Sequence, residues 1–307
     1  MTRQTKSASR LDGLLLVDKP AGVSSHDVVL AARRATGERQ VGHGGTLDPF
    51  ATGLLVLLLG RATRLLQYLD DEPKEYEATV EFGTETATED SGGTVTSTAA
   101  LPSREALLVA AERFHGSIDQ LPPAYSAKRV GGRRAYELAR AGESVALAPV
   151  KVQIHEVALD AMEDGPGGGI ARCRMRVKCG GGTYVRSLAR DLGRAAGTAA
   201  HLSALRRHRA GVFDVAAAIT LQRLREGGVC VAPAVEALAG YPRQNLDAVE
   251  GLAASRGVDV EARVGGAFAA LLDPSAPDEA SRLVAFAKRR PSERGDRWQP
   301  RVVFRDP

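Results

Sequence analysis

Apolar residues recur along the chain with two regular periods, and these periods predict strands and helices. From Tyr76 to Phe82 every second residue is apolar and its neighbours are polar, which predicts a strand with one buried face. Leu14–Val17 is a short apolar run before a Pro/Gly turn, and it predicts a buried strand. Leu54–Leu59 is apolar throughout, so periodicity leaves open whether this run is a buried strand or a helical segment.

Three segments combine helical spacing of apolar residues with capping signals. The first follows Ser24, which forms a capping pattern with Asp27, and Gly37 stands where this helix would end. A second helix is predicted after Ser103, a favourable N-cap residue. The third ends before Gly197 and has apolar residues at helical spacing, namely Val185, Leu188, Ala189 and Leu192.

Polar, glycine-containing segments separate these elements. TETATEDSGGTVTST, after the strand at 76–82, predicts a polar loop. AGYPRQNLDAVEG, around 240–250, predicts a linker. The residues that remain after this linker contain three strand-like runs, AFAALLD, RLVAFAKRR and PRVVF, and predict a small β domain.

A strand near the middle of the chain carries a row of cations. Apolar residues from Ala171 to Cys179 alternate there with Arg172, Arg174, Arg176 and Lys178. Such a face can be a solvated one that guards an edge strand. Four charges of one sign repel each other, however, unless acids from a neighbouring strand or an anionic partner offset them. The pattern alone leaves these possibilities open.

The composition is that of a globular chain with a mildly basic balance. The 307 residues include 41 Lys and Arg against 37 Asp and Glu, which gives a formal net charge of +4. Further basic clusters lie at 206–209 and 288–297, and together the clusters favour a polyanionic partner. The first ten residues are polar and basic and predict a mobile arm.

Several classes of protein are disfavoured. The three cysteines form no C-x-x-C pair, which predicts free thiols in a reducing compartment. No H-E-x-x-H or paired Cys/His spacing occurs, so no metal is expected. The N-terminus lacks the apolar core of a signal peptide, and the longest apolar run is too short to span a bilayer. We therefore expect a soluble, cytoplasmic protein.

One acid lies in an unusually glycine-rich stretch, VGHGGTLDPFATG, in which Asp48 precedes Pro49. Asp before Pro is common at the start of a helix, with Asp as the N-cap. Glycines also let a backbone approach a ligand closely, and a proline can hold a loop carboxylate at a set angle. A helix cap and a catalyst would use the same residues, so the spacing does not separate them.

Four other polar or aromatic residues have ordinary interpretations when taken singly. Arg186 falls in the first turn of its helix, where an exposed cation costs about 0.3–1 kcal/mol against the macrodipole. It could point to solvent or have a carboxylate or phosphate partner. His43 fits a structural hydrogen-bonding residue, Tyr76 a core residue and Lys19 a solvated turn residue.

Five motifs occur in order along the chain: LLLVDKPAGVSSHDVV, VGHGGTLDPFATGLLVLLLGRATRLLQYL, KEYEATVEFGTETATEDSGG, PPAYSAKRVGGRRAYELAR and GGTYVRSLARDLG. As a set they closely resemble the TruB family of bacterial tRNA pseudouridine-55 synthases, over about residues 11–215. The resemblance implies an α+β pseudouridine synthase fold, with a large mixed, mostly antiparallel sheet flanked by helices. It also implies a division into a mobile basic arm (1–10), a catalytic domain (11–245) and a small PUA-like RNA-binding β domain (246–307).

The resemblance implies a set of site residues as well. Asp48 matches the family's catalytic aspartate, and Arg186 matches the arginine that pairs with it. Tyr76 matches the tyrosine that stacks on the flipped base, and His43 matches the histidine that fills the space the uridine leaves. Three further positions match residues close to the substrate, namely Tyr184, Leu205 and Lys19.

The implied reaction breaks the glycosidic C–N bond of a uridine, rotates the uracil and rejoins it through carbon 5. A stacked base cannot be reached, so it must be flipped out. Asp48 would attack the anomeric carbon, or act in an elimination through a glycal-type intermediate with Tyr76 as a candidate base, or attack the base itself. Arg186 would keep Asp48 ionised beside the phosphates. No redox or metal step is needed, so no cofactor is expected.

The sequence therefore predicts isomerisation of uridine 55 in the T-arm of tRNA, by a monomer with no obligate protein partner and no membrane association. Two alternatives stay open. One is a guide-dependent relative that acts on ribosomal RNA. The other is an RNA-folding chaperone with minor catalysis, although the presence of Asp48, Tyr76 and Arg186 together argues against it.

Overall fold

The computed structural model describes residues 11–69, 72–126, 128–130, 133, 134, 138, 147–293 and 295–305. The basic arm predicted at 1–10 lies outside these ranges, as does Arg294 of the C-terminal basic cluster. Within the described ranges, no helix has both the length and the apolar character needed to cross a bilayer.

The described helices are α1 (Ser25–Thr36), α2 (Arg104–Ala111), α3 (Val185–Ala195), α4 (Leu221–Glu226), α5 (Ala248–Ser255) and α6 (Glu279–Arg282). Short 3-10 helices lie at Gly60–Tyr68, Val215–Ala217 and Ala234–Leu238. The first ten strands are β1 (Gly13–Lys19), β2 (Val41–Gly44), β3 (Thr52–Leu59), β4 (Lys74–Phe82), β5 (Thr84–Thr86), β6 (Val95–Thr98), β7 (Gly116–Gln120), β8 (Arg129–Val130), β9 (Arg133–Arg134) and β10 (Val150–Asp164). The others are β11 (Ile170–Cys179), β12 (Ala200–Ala210), β13 (Phe213–Asp214), β14 (Ile219–Thr220), β15 (Ala232–Pro233), β16 (Arg243–Asn245), β17 (Val260–Glu261), β18 (Phe268–Leu272), β19 (Leu283–Arg290) and β20 (Arg297–Val303).

The chain forms two compact units whose sequences interleave. The first unit comprises Met1–Pro49, Gly53–Asp71 and Val212–Pro307, and the second comprises Phe50–Thr52 and Glu72–Gly211.

The core of the first unit is built on β1 and β3. β1 pairs antiparallel with β3 and β15 and parallel with β14, while β2 pairs antiparallel with β3. The undecided run Leu54–Leu59 lies in β3, and each of its residues is 0 % exposed. A strand covered on both faces needs such a continuous apolar run, which is why it shows no alternation. Helices α1 and α4 pack on this sheet through Val28, Val29, Leu221 and Leu224.

The first helix has the ends that its capping residues predict. Ser24 Oγ accepts a hydrogen bond from the Asp27 N–H at 3.2 Å, and the Asp27 carboxylate accepts from the Ser24 N–H at 2.8 Å. Gly37 ends the helix with a φ of 72°, in the left-handed region that glycine adopts without strain. The capping-box prediction is confirmed.

The second unit contains five antiparallel strands in the order β12-β4-β11-β10-β7. The predicted alternation in β4 is confirmed, with Ala78, Val80 and Phe82 buried. Tyr76 of this strand is paired with Arg207 on β12 and with Val177 on β11. Helix α3 packs against β12 and α2. The predicted mixed, mostly antiparallel architecture with flanking helices is therefore confirmed.

The segment after β4 is not simply a polar loop. β5 and β6 pair antiparallel and form a hairpin, so that interpretation was wrong for both strands. All four residues of β6 are exposed, so this strand has no buried face and lacks the apolar alternation that predicts strands. The hairpin lies between β4 and α2 along the chain, and its turn carries Glu89 and Asp90.

The row of cations on β11 is offset by acids on both neighbouring strands. Arg172 lies 2.7 Å from Glu81 of β4, and Lys178 lies 3.3 Å from Glu75 of the same strand. Asp160 of β10 accepts from Arg174 and lies 2.8 Å from Arg176. Of the alternatives that the sequence left open, acids from neighbouring strands are thus confirmed.

A separate five-stranded sheet forms the C-terminal part of the first unit, which confirms the predicted small β domain. Its order is β16-β18-β19-β20-β17, and only the β16–β18 pair is parallel. The predicted linker around 240–250 was wrong, because it contains β16 and the start of α5. Asp247 and Glu250 form a capping box there, a signal the turn-like residues around it obscured.

One buried amide joins three parts of this small sheet. Gln244 of β16 is 3 % exposed, and its Oε1 accepts from the Trp298 indole N–H and from the Arg263 N–H, each at 2.8 Å. Its Nε2 donates to the Glu261 carbonyl at 2.8 Å. A buried polar group with this many satisfied partners fixes the strands in register.

Replacing Gln244 by leucine is expected to lower the free energy of unfolding by about 2–4 kcal/mol, because the Trp298 and Arg263 donors and the Glu261 acceptor would lose their partner. Urea unfolding followed by the fluorescence of Trp298, the one tryptophan of the chain, measures this. The exposed neighbour Asn245 offers the control, since Asn245→Ala should change stability by less than about 0.5 kcal/mol. Equal effects of the two changes would contradict the role of Gln244.

Candidate active site

The loop that carries Asp48 connects β2 to β3 and is held by the start of α1. The Ser25 hydroxyl donates to the Leu47 carbonyl at 3.0 Å and accepts from the Leu47 N–H at 2.9 Å. Leu47 itself is 3 % exposed. On the other side of Asp48, the Gly22 N–H donates to the Pro49 carbonyl at 2.8 Å. The backbone is therefore anchored at both residues that flank the acid.

Asp48 is not the N-cap of a helix. The residues that follow it, Pro49–Ala51, are not helical, and strand β3 begins at Thr52. The side chain is partly buried. The loop enters its turn at Gly45, whose φ of 78° is one that a residue with a Cβ rarely adopts. Of the two interpretations that the sequence left open, the helix cap was therefore wrong.

Lys19 holds the same loop from the end of β1. Its side chain is 0 % exposed, so the interpretation as a solvated turn residue was wrong. The ammonium donates to the carbonyls of Pro20 at 3.0 Å, Val23 at 2.8 Å and Pro49 at 3.3 Å. A buried cation is tolerated when carbonyl dipoles surround it in this way. Lys19 therefore ties the turn after β1 to the residue next to Asp48.

His43 lies on β2, five positions before Asp48. It is paired with Leu57 of β3 and is partly buried. The strand pairing fixes where the chain enters the loop. The first unit thus brings Lys19, His43 and Asp48 onto one continuous piece of structure built on β1, β2 and β3.

In the second unit, Tyr76 and Leu205 lie on adjacent antiparallel strands. Leu205 of β12 is opposite Ala78 of β4, two residues from Tyr76, so both side chains are on the same face of the sheet. Leu205 is 7 % exposed, while Tyr76 is only partly buried. The residue directly opposite Tyr76 is Arg207, which is buried on the same face and was not singled out from the sequence.

Tyr184 immediately precedes α3, and its backbone is held by one amide side chain. The Tyr184 N–H donates to Gln120 Oε1 at 2.8 Å, and its carbonyl accepts from Gln120 Nε2 at 3.1 Å. Gln120 ends β7 and is fully buried. No local sequence signal marks Gln120, because its contact depends on a residue 64 positions away.

Arg186 lies in the first turn of α3 and is 4 % exposed, so the interpretation as a solvent-facing side chain was wrong. Its guanidinium donates to the Thr88 carbonyl at 2.6 Å and to the Tyr125 carbonyl at 2.9 Å. The Asp90 carboxylate is 3.9 Å away. These acceptors offset the unfavourable position of a cation at a helix start.

Asp90, like Arg207 and Gln120, is a site residue that was not predicted from the sequence. Its Oδ1 accepts from the Thr88 hydroxyl at 2.7 Å and from the Gly92 N–H at 3.0 Å, while Oδ2 faces Arg186. An Asp followed two positions later by Gly is a signal for such an Asx turn. The pairing of Asp48 with Arg186, which involves residues of different units, stays a prediction.

Comparisons with known proteins assign the chain to a family. The model described as TruB family pseudouridylate synthase (N terminal domain) matches residues 33–185. The model described as tRNA pseudouridylate synthase B C-terminal domain matches residues 186–243. The tRNA pseudouridine synthase B of Mycobacterium bovis is 41% identical over 301 residues, which are 95% of this chain and 96% of the relative. The chain belongs to the TruB family.

Other TruB relatives and solved structures agree with this assignment. The tRNA pseudouridine synthase B of Thermobifida fusca is 46% identical over 249 residues, 78% of this chain and 83% of the relative. A structure titled "Structure of H/ACA RNP bound to a substrate RNA containing 2'-deoxyuridine" is 23% identical with a TM-score of 0.67, covering 95% of this chain and 85% of that chain. At that identity the likeness supports the fold, and the predicted pseudouridine synthase fold is confirmed.

The adjacent residues Ser24 and Ser25 allow the anchoring of the TruB loop to be tested. Ser25→Ala removes both hydrogen bonds to Leu47, and we expect it to slow pseudouridine formation about tenfold or more, because Asp48 loses its fixed position. Ser24→Ala removes only the helix cap and should cost about 1 kcal/mol of stability without slowing the reaction comparably. Single-turnover rates on a T-arm RNA and thermal unfolding of both variants measure the difference. Equal rates for the two variants would argue against the anchoring role.

Proposed function

We propose that this chain isomerises uridine 55 to pseudouridine in the T-arm of tRNA. The observation that carries the proposal is identity over nearly the whole chain to proteins named tRNA pseudouridine synthase B, 41% over 95% of the chain for the one from Mycobacterium bovis. The GTLDP loop keeps its acid in this chain, and its backbone is anchored on both sides of Asp48. The fixed loop supports a catalytic role, since a reacting group must be held in position.

The proposed roles divide between holding the nucleotide and acting on it. The target uridine leaves the stack, His43 fills the space it vacates and Tyr76 stacks on the extruded base, which together offset an unstacking cost of a few kcal/mol. Leu205 supports this because it lies on the same sheet face as Tyr76 and supplies an apolar neighbour for the base. Tyr184, anchored through Gln120, contacts the substrate beside them.

Asp48 acts on the sugar or the base of the extruded nucleotide, and Arg186 supplies the positive charge that keeps it ionised. The carbonyls of Thr88 and Tyr125 hold the guanidinium in one plane, which supports a role in orienting a carboxylate. Lys19 acts indirectly, through the Pro49 carbonyl. The route is an attack on the anomeric carbon, an elimination with Tyr76 as the base, or an attack on the base.

The enzyme works as a monomer in the cytoplasm, without a cofactor or an obligate protein partner, on tRNA alone. Residues 11–245 form its catalytic domain and residues 246–307 its PUA-like RNA-binding domain, a boundary that leaves β16 (Arg243–Asn245) of the small sheet on the catalytic side. A guide-dependent activity is less well supported, because two H/ACA structures are 22–23% identical to this chain, whereas proteins named tRNA pseudouridine synthase B are 40–46% identical.

Tritium release from a T-arm minihelix labelled at carbon 5 of its uridines tests the function. The wild type should release tritium, and a minihelix with cytidine at position 55 should release none. Asp48→Asn should lower the single-turnover rate at least about 1,000-fold, while binding the minihelix within about threefold of wild type, because it removes the reacting group and keeps the shape. Asp119→Asn, which changes an exposed carboxylate paired with Lys151, is the control. Turnover by Asp48→Asn comparable to that control would contradict the assignment.

A second test concerns the shape of the buried cation. Arg186→Lys keeps the charge but replaces a planar fork, whose two terminal nitrogens donate to different carbonyls, by a single nitrogen, so the rate should fall about 100-fold or more. Binding of the minihelix should change much less. Arg194→Lys, two turns along the same helix with a side chain 57% exposed, should leave the rate within about twofold. A near-normal rate for Arg186→Lys would argue against the proposed orienting role.

A further inference from the structure

Helix α3 holds the turn at residues 88–90 through more than Arg186. The next residue, Ser187, donates its hydroxyl proton to Glu89 Oε2 at 2.8 Å. One turn further along, the Arg190 guanidinium donates to Glu89 Oε1 and, at 3.0 Å, to the Leu121 carbonyl. Three successive contacts of the helix, at 186, 187 and 190, therefore converge on this turn.

Glu89 is unusual in two independent respects. Its φ is 61°, in the left-handed region that residues other than glycine rarely adopt. Its side chain is also buried, with 9 % of the residue exposed. Burial raises the pKa of the Glu89 carboxyl, whereas the charge of Arg190 and the hydrogen bond from Ser187 lower it. Strain and a buried acid at one position persist only when the surroundings determine both.

The backbone around Glu89 shows what this position controls. Thr88 precedes Glu89 and Asp90 follows it. The Thr88 carbonyl and the Asp90 carboxylate both face the Arg186 guanidinium. The Glu89 N–H donates to the Thr86 carbonyl at 3.0 Å, and its carbonyl accepts from the Leu202 N–H at 3.1 Å. A rotation at Glu89 would therefore move one hydrogen-bond acceptor of Arg186, the Thr88 carbonyl, together with its ion-pair partner, the Asp90 carboxylate.

We propose that Glu89 is a positioning residue for Arg186: its carboxylate, fixed by Ser187 and Arg190, holds the Thr88 carbonyl and the Asp90 carboxylate against the guanidinium. The inference rests on the proposed function, in which Arg186 orients the reacting acid. Glu89 does not touch the substrate. Its loss acts on the chemical step through the geometry of Arg186.

The same helix and hairpin provide a matched pair for comparison. Arg194 of α3 makes two hydrogen bonds to the Glu85 carboxylate of β5, at 2.8 and 2.7 Å. This pair also ties the helix to the hairpin, but it lies two turns beyond Arg186. A role limited to docking the hairpin would make Glu85 and Glu89 equivalent. A positioning role would make them differ in the chemical step.

The experiment compares Glu89→Gln with Glu85→Gln in the full chain, by single-turnover tritium release, minihelix binding and thermal unfolding. Glu89→Gln should slow the single-turnover rate about tenfold or more, with the dissociation constant of the minihelix within about threefold of wild type. Glu85→Gln should leave the rate within about twofold, even if both variants unfold at similar temperatures. Arg190→Met should slow the rate as well, and the double variant with Glu89→Gln should be no slower than the slower single variant, because the two act as one unit.

The outcomes separate this inference from the function on which it rests. A wild type that releases no tritium overturns the proposed function, and the positioning role with it. If the wild type is active, a Glu89→Gln variant as fast as Glu85→Gln overturns the positioning role alone. The positioning role is also overturned if Glu89→Gln and Glu85→Gln slow the rate equally. It is overturned as well if the effects of Glu89→Gln and Arg190→Met on the rate multiply fully in the double variant. If Glu89→Gln does not fold, Ser187→Ala, which removes one partner of the carboxylate, must slow the rate more than Glu85→Gln does.

Discussion

A guanidinium that is withdrawn from water needs an acceptor for each of its N–H groups, and this requirement organises the second unit. Arg186 stands at the start of α3, where the helix itself offers only donors. Its acceptors include the Thr88 carbonyl of the hairpin turn and the Tyr125 carbonyl, and the Asp90 carboxylate of the same turn forms an ion pair with it. Leaving such a charge buried and unmatched would cost several kcal/mol. The helix and the hairpin therefore have to be placed together, and neither can shift without the other.

In the first unit, hydrogen bonds to backbone groups fix the loop that carries Asp48. The acid-bearing loop is glycine-rich, and a chain of that composition loses much conformational entropy when it is ordered. Hydrogen bonds at Leu47 and Pro49 fix the backbone on both sides of Asp48. Ser25 and Lys19 are thus as much part of the site as the residues that the motif contains. In both units, main-chain carbonyls accept hydrogen bonds from a buried cation, Lys19 or Arg186, and so orient its side chain.

Local signals were enough to predict the elements whose causes are local. The capping box of α1 and the alternation of β4 involve residues within a few positions of each other, and both are present as expected. Local spacing could not place Lys19 or Arg186, because turn residues and first-turn cations are usually solvated, and their acceptors lie up to 98 positions away. Only the resemblance to the TruB motifs assigned them to the site. Glu89 and Gln120 were missed for the same reason. The cap interpretation of Asp48 failed because a strand, not a helix, follows Pro49, and no local signal distinguishes the two.

The paired charges of β11 have a consequence for how an anionic macromolecule approaches. Each cation of that strand has a carboxylate within ion-pair distance on β4 or β10, so positive and negative charges alternate across the face. The potentials of such closely spaced opposite charges cancel beyond a Debye length of about 8–10 Å. The long-range attraction of a phosphate backbone depends on the net positive potential that remains after neighbouring charges of opposite sign have cancelled. The face of β11 therefore contributes little to the capture of RNA from solution. This is so although it carries four basic side chains at successive alternate positions, from Arg172 to Lys178.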